Sequence, residues 1–392
     1  MNFDLYTNCL TNILKYAITG DKEIDLPVGF DENEFIEFCK FHKVENIVYL
    51  TVGNKLSNEK QEEVNKLYNQ LLMVQAKQMY YLEELEAAFE EEGIDYLLLK
   101  GREISSLYPS EDMRQSSDFD IYIGKENSKK ARDVMLKLGY KILAYSDEND
   151  DHDEYLIDSC VMVELHRVLI QNQYPWQEEC NKMTDRLILK DSTNHCMKLS
   201  VEDFYAYNLA HMAKHMKFSG IGIRAFLDQW LIYRYYKDKI NTEKLDDILK
   251  KCKLYEFNRN AMELCAYWFE GKDNVSDTIK KMADYVAKSG WVGTYKMAKA
   301  TEMATNAGAT NSKNIAKLKK YFSILSTPYE QMVHRYPILE KHRYLIVFCR
   351  IHRAIRAIFK RRDLIKNISD EFDNADMRYG KEILDFKKNI GL

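Results

Sequence analysis

From the N-terminus to about residue 92 the apolar positions recur at helical spacing. Phe35, Ile36, Phe38 and Cys39 share one face, and the stretch from Asn58 to Glu92 is a long amphipathic pattern without glycine or proline. Gly93 is the expected stop. The period then changes. Ile94 to Leu99 is a short apolar run that predicts a buried strand ending in the turn Lys100-Gly101. A short helix through Ile104 to Tyr108 and a polar stretch lead to Asp118-Phe-Asp-Ile-Tyr-Ile123, whose alternation predicts a second strand. Lys125 to Leu138 is apolar at Ala131, Val134, Met135 and Leu138 and is closed by Gly139, which predicts a helix with a glycine stop. Further strands are expected at Tyr140 to Ala144, Tyr155 to Asp158 and Cys160 to Leu169, with the acidic loop SDENDDHDE between the first two. From Val201 onward the helical period returns, with Gly220 and Gly222 in one connection and Pro328 and Pro337 punctuating another. The expected class is α+β: a helical segment over 1–77, a small mixed sheet flanked by helices over 78–200, and an all-helical domain over 201–392.

Composition supports this division. The 392 residues are 46% hydrophobic and 30% charged, enough to bury the cores of more than one domain. With only 5 Pro and 15 Gly, the chain is expected to be more helical than an average soluble protein. A net charge of −4 rules out no partner, but it gives no argument for nucleic acid, which would want a broadly basic domain. The 8 cysteines form no CxxC pair and none of the regular spacings of a disulfide framework or zinc site, so they are expected as reduced core residues. The first residues lack a basic stretch followed by an apolar one, and no apolar run approaches the roughly 20 residues of a membrane span. The expected compartment is the cytoplasm of a bacterium.

The chemistry concentrates on two of the strands. Residues two apart in a strand point to the same side, so Asp118 and Asp120 present paired carboxylates while Phe119 and Ile121 enter the opposite face. The same alternation sets Glu164 and His166 against Val163 and Leu165. Adjacent anions are costly without a cation between them. Three carboxylates on neighbouring strands would make a hard oxygen site suited to Mg²⁺ or Mn²⁺, the arrangement that two-metal phosphoryl chemistry uses.

The stretches LLLKGREISSLYPSEDMRQSSDFDIYI and VMVELHRVLI resemble the DNA-polymerase-beta-like nucleotidyltransferase superfamily, whose pattern is an apolar strand, a glycine turn, an Asp-x-Asp strand and a later carboxylate on a strand. More narrowly they are similar to a bacterial family of largely uncharacterised nucleotidyltransferases, through Lys100, Gly101, Tyr108, Pro109, Arg114, Asp118, Asp120, Glu164 and His166. LAHMAKHMKFSGIGIRAFLDQW, with His211, His215, Arg224 and Asp228, is similar to that family's downstream helix pair. The resemblance implies a polymerase-beta-like core in which Asp118, Asp120 and Glu164 hold the metal ions and carry catalysis. It implies a nucleotide site drawn from Lys100, Gly101, Arg114, Ser117, His166, His211, His215, Arg224 and Asp228. The implied reaction is transfer of a nucleoside monophosphate from a nucleoside triphosphate, ATP first among them, to a hydroxyl of a small molecule or protein. Arg102 stands where many superfamily members have a second small residue after the turn glycine, so Lys100 and Arg114 are the expected side-chain contacts to phosphate.

Other readings stand beside this one. The same fold with a lost phosphate cradle would be a binding module or nucleotide sensor. His211 and His215 have the i, i+4 spacing of a zinc pair but no evident third ligand, and either a place on the wall of the nucleotide cleft or plain packing suits them better. His166 is expected either to order the site or contact substrate, rather than bind Mg²⁺, or to be simply a satisfied histidine at a strand end. The segment from Lys341 to Arg362, with Arg350, Arg353 and Arg356, has a basic face that could meet a membrane or RNA. Packing of its apolar face in a helical bundle is the plainer expectation.

Overall fold

Asn2 caps α1 (Phe3–Thr19) and Asp31 caps α2 (Glu32–His42), each side-chain oxygen accepting a backbone N–H that the first helical turn leaves unpaired. After α3 (Glu45–Val52), the long amphipathic stretch forms one helix, α4 (Asn58–Glu92). Gly93 closes it at φ 64°, its N–H bonding back to the carbonyls of Phe89 and Glu90. The computed structural model describes residues 2–21, 24–27, 30–144, 152–171, 173–307, 329, 332–333, 336, 338–352 and 377–392. The acidic stretch up to Asp151, Pro328, Pro337 and the basic segment from Arg353 to Arg362 lie outside the described residues.

The middle of the chain builds a seven-stranded mixed sheet, so the protein is α+β. Its strands are β1 (Tyr96–Leu99), β2 (Asp118–Tyr122), β3 (Lys141–Ala144), β4 (His152–Ile157), β5 (Val161–His166), β6 (Ile188–Leu189) and β7 (Cys196–Lys198), in the spatial order β3-β4-β5-β2-β1-β7-β6. The short helix α5 (Gly101–Ser105) follows β1, α6 (Ser128–Lys137) follows β2, and α7 (Gln177–Asn181) follows β5. Strand β2 runs parallel to β5 and antiparallel to β1, and β4 runs antiparallel to β5.

Two differences from the sequence expectations have simple causes. Strand β4 begins at His152 rather than at Tyr155, because its first residues are polar and gain their strand identity only from pairing with β5. Strands β6 and β7 have two and three residues, too short for any period to announce them.

One face of the sheet is apolar. Phe119, Ile121, Val161, Val163, Leu165 and Tyr155 pack with Leu82, Leu85 and Phe89 of α4 and with Ala131, Val134 and Met135 of α6. The other face carries the polar side chains of the same strands and looks toward α8 (Val201–Phe218) and α9 (Ile223–Tyr236). Further along the chain come α10 (Thr242–Lys251), α11 (Tyr255–Phe269), which packs on α9, and α12 (Asp277–Ser289). Helix α1 packs on α11 and α12, burying Leu10, Ile13 and Leu14.

The chain divides into two compact units, one of Met1–Lys217, Ile221–Val292 and Ile390–Leu392, the other of Phe218–Gly220 and Gly293–Asn389. In the second unit α13 (Tyr295–Ala307) packs on α14 (Met377–Asn389), where Gly380 lies against the Ala300 carbonyl so closely that a Cβ would not fit. Among the described residues no helix is long and apolar enough to cross a membrane. All eight cysteines are free, and seven of them are buried.

His42 is a buried joint of the first unit. Its Nδ1 accepts the Ile223 N–H at 3.3 Å and its Nε2 donates to the Ala287 carbonyl at 3.2 Å, so only the neutral ring satisfies both. Burial pushes its pKa down to about 3, against 6.5 for an ordinary histidine. Between those values the unfolded chain binds a proton that the folded chain refuses, so stability falls as pH is lowered through this window. The loss from this one group is expected to reach about 2 kcal/mol by pH 5. Urea unfolding at pH 7 and pH 5 reads it: His42→Gln, which keeps a donor and an acceptor but does not titrate, should lose less stability between the two pH values than wild type.

Candidate active site

Register places the polar side chains of three strands in rows. Asp120 on β2 pairs with Glu164 on β5, which pairs in turn with Glu154 on β4. One row along, His166 pairs with His152, and Asp118 lies two residues before Asp120 on the same side of β2. The opposite face is filled by core, so these groups have only one direction in which to point. A cavity of about 280 Å³ opens over them, with the sheet as floor and α8 as one wall, where Tyr207, His211, Met212 and His215 recur at helical spacing. Arg114, Arg224, Asp228 and Trp291 form the other side.

The residues expected to hold metal or nucleotide all line this cavity: Lys100, Gly101, Arg114, Ser117, Asp118, Asp120, Glu164, His166, His211, His215, Arg224 and Asp228. Their partners differ. Lys100 has φ 55°, a conformation costly for a residue with a side chain, and it sits at the join of β1 and α5. From there its Nζ reaches Asp120 Oδ2 at 2.7 Å and His211 Nε2 at 3.0 Å. The other oxygen of Asp120 is 2.9 Å from His166 Nε2, which is also 3.3 Å from Glu164 Oε2. Both oxygens of Asp120 therefore face a cationic or proton-donating group.

The charges follow from this packing. Burial alone would raise the Asp120 carboxyl, but Lys100 and His166 outweigh it and hold the group well below the usual carboxylate range. Asp118 goes the other way, raised by burial and then by the charge of Asp120. The hydrogen bond from His166 lowers Glu164. Burial opposes a charged His166, yet its bonds to Asp120 and Glu164 prevail and raise its pKa. His211 is kept neutral by burial and by the neighbouring Lys100 ammonium, so its Nε2 is the acceptor for Lys100. His215, whose Nε2 is 3.2 Å from that of His211, is pushed down to about 4 by burial.

Arg114 and Arg224 act mainly as braces. The Arg114 guanidinium grips Asp228 with Nε to Oδ1 at 2.9 Å and Nη2 to Oδ2 at 3.1 Å, and its Nη1 donates to the Gly101 carbonyl at 3.1 Å. The Tyr108 hydroxyl completes the set, donating to Asp228 Oδ1 at 2.8 Å. Arg224 donates to the Gln115 carbonyl at 3.0 Å and lies over the Trp291 ring. The sequence suggested a phosphate contact for Arg114, whereas in the fold that side chain ties the Lys100-Gly101 turn to α9. Ser117 Oγ is 3.2 Å from Asp118 Oδ1, and Gly101 is packed closely enough that a Cβ would stand 3.2 Å from Ser116 Oγ.

By donor chemistry Asp118, Asp120 and Glu164 suit a hard divalent ion, and the cations now set against Asp120 show how strongly this face calls for positive charge. Among the described residues, the group of side chains that closes to metal-holding distance is His152, Glu164 and His166. His152 was hidden in the sequence inside an acidic stretch. No period of two marks it as part of a strand, and its partner across the sheet is set by register.

No curated protein matches the chain. A family model described as "Uncharacterised nucleotidyltransferase" matches residues 29–270, the part that contains the whole of this cavity except Trp291 and Val292. That match covers more than half of the chain and carries nucleotidyl transfer as the general activity: the protein belongs to this nucleotidyltransferase family.

Proposed function

We propose that the protein transfers a nucleoside monophosphate from a nucleoside triphosphate, with ATP the expected donor, to a hydroxyl of a small molecule or a protein, in a reaction that depends on Mg²⁺ or Mn²⁺. The observation that carries this reading is the row Asp120–Glu164 beside Asp118, three carboxylates over one cavity with a buried apolar layer behind them. Nucleic acid is not the expected acceptor, since no interleaving of basic and aromatic residues surrounds the core in the sequence.

Divalent ions held by Asp118, Asp120 and Glu164 would supply neutralisation of phosphate charge and a more acidic acceptor hydroxyl. The rest falls to the chain. Lys100 releases Asp120 and turns its ammonium to a triphosphate oxygen, where a compact point charge is effective. Neutral His211, 3.0 Å from Lys100 Nζ, steadies that movement. Glu164 takes the proton of the acceptor hydroxyl as its oxygen bonds to the α-phosphorus, and the bond from that phosphorus to pyrophosphate breaks. Val168, Leu169, Ile170 and Tyr207 line the cavity and limit water near the reacting phosphorus. The Arg114–Asp228–Tyr108 set keeps the Lys100-Gly101 turn in place.

Pyrophosphate release from each nucleoside triphosphate, measured with Mg²⁺ or Mn²⁺ against a panel of hydroxyl acceptors, tests the proposal. Metal-dependent release with at least one acceptor, abolished by EDTA, is expected. The pairing of both Asp120 oxygens with Lys100 and His166 favours one rival, a nucleotide sensor whose site is neutralised from within. Saturable ATP binding without release against the whole panel would select that rival and reject transfer.

A further inference from the structure

Two imidazoles in the cavity floor converge on one carboxylate oxygen. His152 and His166 face each other across the β4–β5 pair, their rings stacked with centroids 5.1 Å apart and planes 26° apart. His152 Nε2 is 3.8 Å from Glu164 Oε2, and His166 Nε2 is 3.3 Å from the same oxygen. The ligand atoms of the three residues all lie within 4.8 Å of one another. An ion with bonds of about 2.1 Å keeps neighbouring ligand atoms roughly 3.0–3.4 Å apart, so small side-chain rotations close the set around a common point.

We infer that His152, Glu164 and His166 form a binding site for a divalent transition-metal ion, of the class that accepts imidazole nitrogen. Two nitrogens and one carboxylate are the donors of Zn²⁺, Co²⁺ and Mn²⁺ sites, whereas Mg²⁺ prefers oxygen throughout. All three side chains stand on paired strands rather than loops, which holds them in place before an ion arrives. Each lines the cavity, so an ion can reach it. Asp120 Oδ1, 2.9 Å from His166 Nε2, stands beside the set and adds a negative charge. The ion takes the position of the His166 Nε2 proton, which leaves to solvent. The site shares Glu164 with the transfer reading but does not depend on it: an imidazole-bound ion is detectable in a chain that transfers nothing.

The test therefore uses no nucleotide. The full chain, treated with EDTA and freed of it, is titrated with Co²⁺ and followed by its visible absorption, which reports nitrogen coordination. One Co²⁺ per chain is expected, displaced by Zn²⁺ and not by excess Mg²⁺. His152→Ala is expected to weaken binding by more than about tenfold, and His166→Gln likewise. His195→Ala removes a histidine that sits 2.7 Å from Asp95, away from the cavity, and should bind as wild type. Melting curves accompany each variant, and if His152→Ala fails to fold, His152→Gln replaces it. Absence of saturable Co²⁺ binding, wild-type affinity in folded His152 and His166 variants, or equal loss in His195→Ala overturns the inference. Each of these results leaves the Mg²⁺-dependent pyrophosphate assay to stand or fall by itself.

Discussion

Asp120→Asn is expected to lower nucleotidyl transfer by about a thousandfold or more, equivalent to roughly 4 kcal/mol of barrier. The carboxylate is 9% exposed, paired across the sheet with Glu164, and bonded through both oxygens. An amide of the same shape keeps the packing but cannot supply the negative charge that a divalent ion and the Lys100 ammonium both require. The backbone is untouched, so far-UV circular dichroism should match wild type while pyrophosphate release collapses. Asp95→Asn, on an exposed carboxylate beside His195, is the matched control and should release pyrophosphate at the wild-type rate. Retention of more than a tenth of wild-type turnover by Asp120→Asn would remove the carboxylate row from the mechanism.

Asp228→Ala is expected to be the most destabilising single change at the site, costing about 3–5 kcal/mol, because it leaves the Arg114 guanidinium buried without its counter-charge. Burial works against that guanidinium, and Asp228 is the group that stabilises its charge. The Tyr108 hydroxyl loses its acceptor in the same step. The pair joins residues 114 positions apart in sequence and holds the Gly101 carbonyl through the same arginine, so turnover should fall together with stability. Replacing both partners by apolar residues of similar size, Arg114→Met with Asp228→Leu, removes the orphaned charge and should restore most of the urea midpoint. If Asp228→Ala unfolds within about 1 kcal/mol of wild type, the pair is not the tie described here.

Much of the local structure is legible in the sequence. The long apolar pattern ends at Gly93 because a left-handed residue closes a helix cheaply only when it lacks a side chain. Phe119 and Ile121 alternate with Asp118 and Asp120, so burying one pair forces the other onto the open face. Other features were hidden. His152 looked like part of an acidic loop, because three polar residues in a row have no apolar partner to reveal a period of two. Arg114 offered no sign that its partner would be Asp228, since a guanidinium can satisfy a phosphate or a carboxylate equally well.

The sequence by itself therefore determined that Asp118 and Asp120 share a strand face and that the long helix stops at Gly93, since both follow from contacts within a few residues. Only the tertiary structure decided that β2 lies parallel to β5 with Asp120 opposite Glu164, that His152 meets His166, and that α8 and α9 come down over the same face. Strand register and helix docking are selected by how distant apolar surfaces fit together behind the site, in the layer of α4, α6 and the sheet. No local pattern carries that information, because the energy that chooses among registers resides in contacts between residues far apart in the chain.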